Sequence, residues 1–155
     1  MVVSLFNDVI GPVMRGPSSS HCAAALRIGR LGRDLMGGQL TDVSIMYDRH
    51  GSLATTHESQ GSDMGLYGGL LGWDATDERL PDSARALRAA GVKVRSALVD
   101  THDAHPNTYR ISLGNGAECH TLIAISTGGG MISVEQIDAA VVRIAGDAWE
   151  TLVWL

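Results

Sequence analysis

"GPSSSHCAAALRIGRLGRDLMGG", residues 16–38, sets three serines and a histidine directly before a helical repeat. Ala24, Ile28, Leu31 and Leu35 recur at spacings of four, three and four, so they share one helix face while Arg30 and Arg33 fall on the other. That apolar face is expected to enter a core, and Gly37 and Gly38 close the helix where residues tolerant of positive φ belong. The amino end of such a helix presents unpaired backbone N–H groups and the positive end of the macrodipole, which together attract a carboxylate or phosphate. Ser18, Ser19 and Ser20 add hydroxyls there, and His21 adds a donor or a proton acceptor. A capping serine, worth about 1 kcal/mol, accounts for one of these side chains but not for all four.

Outward from this helix the chain keeps alternating texture. A short apolar run, Leu5 to Met14, precedes it, and Val43 to Tyr47 follows as a strand. After a polar stretch from Asp48 to Gly61, Ser62 is positioned to cap a second helix, "DMGLYGGLLG" (63–72). Each of its four glycines weakens it by up to ~1 kcal/mol relative to alanine, so it needs another backbone in close approach. "DERLPDSARALRAAG" (77–91) supplies a turn, a cap at Asp82 or Ser83 and a short third helix closed by Gly91.

From there the pattern is β: "VKVRSALVD" (92–100), "TYRISLG" (108–114), "ECHTLIAIS" (118–126), a run through Val134, and "IDAAVVRIAG" (137–146). The expected fold is a single α+β domain over residues 1–155, a mixed or antiparallel sheet with helices packed on it.

The chain carries 12 basic and 17 acidic side chains in 155 residues, a mild acidity without basic clusters that argues against nucleic acid or anionic membrane as partners. No stretch approaches the roughly 20 apolar residues of a membrane span, and a secretory signal pattern is missing, so a cytoplasmic protein is expected. Cys22 and Cys119 then read as buried thiols rather than a disulfide. Two thiols fall short of the ligands an iron–sulfur cluster needs, so any cluster must come from elsewhere.

Three further segments carry chemistry-bearing side chains. "RHGSLATTHESQGSD" (49–63) holds His50, His57, Gln60 and Asp63 and ends where the second helix begins. In "DAHPNTYR" (103–110), Pro106 biases His105 toward extended backbone at the start of a strand. "STGGGM" (126–131) offers three glycines, for close approach of a ligand or for a tight turn. None of these spacings matches a zinc site, a Walker loop, a dinucleotide fingerprint or a serine-hydrolase elbow.

Taken in order, "IGPVMRGPSSSHCAAALRIGRLGRDLMGG" (10–38), "GGLLGWDATDERLPDS" (68–83), "HPNT" (105–108) and "STGGGMI" (126–132) resemble the β subunit of iron–sulfur-dependent L-serine dehydratase (L-serine ammonia-lyase). The resemblance implies a β-type domain, also similar to the allosteric substrate-binding domain of some phosphoglycerate dehydrogenases. It implies an α-type partner subunit holding a [4Fe-4S] cluster, in a hetero-oligomer that converts L-serine, or another β-substituted amino acid, to a keto acid and ammonia. In that reading Ser18, Ser20, His21, Ser62 and Asp63 bind the substrate carboxylate, and His57, Gln60 and His105 are the candidates for the catalytic contacts. No metal ligand set is expected in the chain itself.

The sequence departs from the family pattern at three places. Gly-His-Gly-Thr-Asp, usual before the second helix, is Gln60-Gly61-Ser62-Asp63 preceded by Ser59, and glutamine cannot titrate near neutral pH. Cys22 replaces a threonine, and an ACT regulatory domain after residue 155 is not expected. With Gln60 in place, two other readings stand beside catalysis: a non-catalytic, carboxylate-binding regulatory subunit, and a subunit that only completes its partner's fold.

Overall fold

The computed structural model describes residues 13–154, so most of the apolar run at Leu5–Met14 lies outside the described residues. Strand alternation lays down the sheet: in β1 (Asp42–Asp48) Val43, Ile45 and Tyr47 are buried while Ser44 and Met46 between them are half-exposed. The same period recurs in β3 (Thr108–Gly114) and β4 (Cys119–Gly128), where Tyr109, Ile111, Leu113, Leu122 and Ala124 turn to one face. With β2 (Lys93–Val99), β5 (Met131–Ile137) and β6 (Ala140–Ile144) the sheet has six strands in the order β2-β1-β3-β4-β5-β6. Only the β1–β2 pair is parallel, which makes the sheet mixed.

The helices cover the buried face. α1 (Ser19–Leu35) lies on β4 and β5 and packs along α3 (Ser62–Leu70), while α4 (Ser83–Ala89), entered through a 3₁₀ turn at Leu80–Asp82, packs on α3. Ala24 and Ile28 are fully buried as their spacing predicts, but so are Cys22, Ala23, Ala25, Gly29 and Gly32, because α1 has a second buried side against α3. There the backbones touch: a Cβ on Gly65 would stand 2.1 Å from Cys22 O, one on Gly69 2.1 Å from Leu26 O, and one on Gly29 2.3 Å from Leu66 O. The glycines that weaken α3 as an isolated helix are what admit α1 to it.

Three local expectations need correction, and one open alternative is decided. Ser62 does not cap α3: the cap is Gly61, held at φ 84°, and Ser62 is the first helical residue, wholly buried. The polar stretch after β1 contains a one-turn helix, α2 (Leu53–Thr56), nucleated by burial of Leu53. Cys119 is an exposed free thiol at the start of β4, where only Cys22 fits the buried expectation. Gly128–Gly130 form the β4–β5 turn with φ of 105°, 58° and 77°, and a Cβ on Gly128 or Gly129 would meet nothing, so the turn reading wins over close approach. Among the described residues no helix is long and apolar enough to cross a membrane.

Candidate functional site

Three hydroxyls on the helix-covered face of the sheet fix the site. Tyr47 on β1 donates to Asp63 Oδ1 at 3.0 Å, Tyr109 on β3 donates to Ser62 Oγ at 3.1 Å, and Ser126 on β4 donates to the Ser20 carbonyl at 2.9 Å. The first two hold the first turn of α3 and the third holds the first turn of α1, so both amino ends are seated over the same end of the sheet. Pro17 closes the gap, since a Cβ on Gly61 would lie 2.8 Å from its Cδ. Burial, reinforced by the Asp63 charge, pushes the Tyr47 phenol well above its ordinary range, and burial does the same for Tyr109, so both remain donors at neutral pH.

At α1, Ser18 stands at the N-cap position without a side-chain capping bond, and its carbonyl accepts the first helical bond, from Cys22 N–H at 2.8 Å. The amides of Ser19, Ser20 and His21 therefore have no acceptor within the helix. Their side chains form a small network: Ser18 Oγ lies 3.0 Å and Ser20 Oγ 3.3 Å from His21 Nδ1, and the two hydroxyls are 3.2 Å apart. On the other side of the ring, His21 Nε2 is 3.4 Å from Thr56 Oγ1, whose own hydrogen is committed to the Ser52 carbonyl at 2.7 Å. Thr56 thus accepts, His21 carries its proton on Nε2, and Nδ1 receives a serine hydroxyl. Burial lowers the His21 pKa, which favours this neutral form.

Beside it, His57 Nδ1 lies 2.8 Å from Asp63 Oδ2, and its ring stacks on Tyr47 at 4.8 Å between centroids. Both groups of this pair are mostly shielded, with side-chain exposures of 16% and 15%. Because the carboxylate can only accept, Nδ1 donates to it, and Nε2 is the ring nitrogen turned away from Asp63. The pair and Glu58 bring potential metal-ligating atoms within 4.8 Å of one another, but both Asp63 oxygens are already used, by His57 and Tyr47.

The structure thus brings Ser18, Ser20, His21, His57, Ser62 and Asp63 to one place while giving them different surroundings. Ser62 is sequestered against Tyr109, and Asp63 is a charge-bearing support for His57 rather than an exposed donor. Gln60 is held through its main chain, whose N–H donates to Thr56 O at 2.9 Å at the end of α2. His105 is engaged by its own turn: its Nδ1 accepts the Asn107 N–H at 3.1 Å, and the next residue, Pro106, accepts the Ser52 N–H at 2.9 Å. With Nδ1 so used, neutral His105 has a donor to offer and no free lone pair.

Sequence reasoning missed Tyr47, Thr56, Tyr109 and Ser126. The signal available was the strand period, which puts Tyr47 and Tyr109 on core faces where a hydroxyl needs a partner. It also left Asn107 unassigned, whose Oδ1 is a buried side-chain atom with no hydrogen-bond partner among the described residues. An unmet buried acceptor of this kind costs about 1–3 kcal/mol. A groove of about 570 Å³ lies elsewhere, between α1 and the carboxy-terminal segment, lined by Arg27, Arg30, Asp74 and Trp149 among others. Its half-buried cation, Arg27, is spent on the carbonyls of Gly130 and Gly146.

No family profile matches the chain. The "Probable L-serine dehydratase, beta chain" of Bacillus subtilis (strain 168) is 37% identical over 140 residues, covering 90% of this chain and 63% of the relative. The "L-serine dehydratase, beta chain" of Peptoniphilus asaccharolyticus is 33% identical over 143 residues, again 90% of this chain and 63% of the relative. The chain spans less than two thirds of the length of either.

Proposed function

Because the chain is related to L-serine dehydratase beta chains over nine-tenths of its own length, we propose that it is the β-type component of an amino-acid ammonia-lyase acting on L-serine or another β-substituted amino acid. The observation that carries this reading is the meeting of a serine-rich helix amino end with a carboxylate-oriented histidine over one end of the sheet. The amides of Ser19, Ser20 and His21, with the serine hydroxyl that does not serve His21 Nδ1, receive the substrate carboxylate. His57, its Nδ1 held by Asp63, presents Nε2 to take or return a proton, the work that Gln60 cannot do. Tyr47 shares the Asp63 charge and keeps the imidazole flat against its ring.

The resemblance also implies a [4Fe-4S] cluster, and the residues of this chain do not fit it. Cys22 is buried between α1 and α3 with its thiol pushed up by burial. Cys119 lies seven residues before Ser126 along β4, about 23 Å from the α1 end at ordinary strand rise. One thiol cannot reach the other, and neither set of neighbours adds cysteines. We assign the cluster to an α-type partner and route no step of this chain's chemistry through it.

The test is anaerobic coexpression with a serine dehydratase α-type chain, reconstitution, and measurement of keto acid and ammonia from serine, threonine, cysteine and their β-substituted analogues. Release of both products supports the reading. A copurifying complex that binds amino acids without turnover favours the second reading, a carboxylate-binding regulatory subunit, for which Gln60 in place of the family histidine is the specific observation.

A further inference from the structure

We propose that Asn107 is the acceptor for the substrate's ammonium group, an assignment that rests on the amino-acid-binding reading above and names the second half of its recognition. The β3–β4 register pairs Thr108 with Ile125 and Tyr109 with Ala124, and the Asn107 carbonyl accepts the Ser126 N–H at 3.1 Å, so Asn107 sits opposite Ser126. Side chains opposite one another in an antiparallel pair share a face, and residues two apart on a strand do too. Asn107 therefore stands on the helix-covered face with Ser126 and Tyr109, the two residues that tie the sheet to the first turns of α1 and α3.

Its Oδ1 is the buried side-chain polar atom that the described chain leaves without a partner. Buried acceptors are normally satisfied, and one left open opposite Ser126, which itself holds the first turn of α1, calls for a donor from outside. The neighbouring groups sort the ligand's atoms. The α1 end supplies several donors, the Ser19, Ser20 and His21 amides and the serine hydroxyl not given to His21 Nδ1, and these suit a carboxylate. The open acceptor suits an N–H-bearing group next to it, and an α-amino acid carries a carboxylate and an ammonium on one carbon. A neutral amide oxygen accepts from the ammonium without adding a negative charge beside the bound carboxylate, which an aspartate at 107 would do.

The test uses the assembled complex and calorimetric binding of two probes, L-serine and 3-hydroxypropanoate, which lacks only the amino group. The wild-type complex is expected to prefer serine. Asn107→Leu, close in size and without the acceptor, is expected to lose about 10- to 100-fold in serine affinity, the range of a hydrogen bond to a charged group, while its affinity for 3-hydroxypropanoate stays within about twofold. Because the leucine also removes an unsatisfied atom, the Tm of the free chain is expected to hold or rise, a readout independent of turnover. Asn107→Asp, which keeps the shape and the acceptor but adds a charge beside the carboxylate, is expected to weaken 3-hydroxypropanoate more than serine, whose ammonium the new charge attracts. A leucine variant that keeps the full preference for serine overturns the proposal. So does an aspartate variant that loses both ligands alike, since that would make the amide a donor to the carboxylate. Wild-type protein that binds neither probe overturns the amino-acid reading of the site itself, an outcome distinct from either of these.

Discussion

Alanine at Gly69 tests whether the contact between α1 and α3 is the device that places the site. The new Cβ would stand 2.1 Å from Leu26 O, 2.8 Å from Arg30 N and 2.9 Å from Gly29 Cα. Ordinary C···O approach is about 3.3 Å or more, so α1 must retreat by about 1.2 Å. All three obstructing atoms are backbone, and no rotamer change relieves them. Overpacking of this kind costs about 1–3 kcal/mol, here at the upper end, against which alanine regains about 1 kcal/mol of helix propensity. The net loss of about 2 kcal/mol corresponds to a fall in Tm of about 4–8 °C for a chain of this size. Thermal unfolding followed by circular dichroism, with urea midpoints as a second measure, reads it directly. Gly114→Ala is the control, because its Cβ would come no closer than 3.8 Å to Glu118 O, and it should move stability by less than about 0.5 kcal/mol. A Gly69→Ala protein as stable as the parent would refute the backbone-contact argument. If stability falls as expected, serine binding should weaken with it, although Gly69 lies at the far end of α3 from Asp63, because the displaced α1 carries Ser18 and His21.

Two other outcomes follow from the site geometry. Asp63→Asn keeps the shape but no longer fixes the His57 proton on Nδ1, so kcat of the assembled enzyme should fall about 10- to 100-fold with little change in KM; steady-state kinetics that show an unchanged kcat would remove Asp63 from its orienting role. Burial holds the folded-state pKa of His21 below its ordinary value of 6.5, so the unfolded chain takes up that proton first as the pH falls. The stability owed to neutral His21 is therefore present above about pH 6.5 and lost as the pH drops toward the folded pKa, and His21→Gln should flatten the dependence of the urea midpoint between pH 7.5 and 5.5.

Periodicity carried most element types of this chain, with β-branched content deciding residues 137–146 and α2 left unread. The spacing of Ala24, Ile28, Leu31 and Leu35 marked α1, alternation marked β1 and β3, and the glycines of α3 announced a close neighbour, since a helix with so many gains nothing from its own propensity. These are local signals, set by which side of an element each residue faces. The serine–histidine stretch was legible for the same reason, because hydroxyls crowded before a helix start have a physical use wherever that helix ends up. Ser62 was misread as a cap because its requirement is not local: its hydroxyl answers Tyr109, which is 47 positions away in sequence and one strand away in space. The link between His57 and Asp63 depends on the turn made by α2 and on Gly61 adopting φ 84°, and the family pattern at 60 drew attention to a glutamine while the titratable ring sat three residues earlier. Asn107 could not have been singled out by any spacing, for what distinguishes it is a missing partner. Sequence determines which groups are polar and which face each residue takes, but whether a buried polar atom is satisfied depends on every element packed around it, and only the tertiary structure decides that.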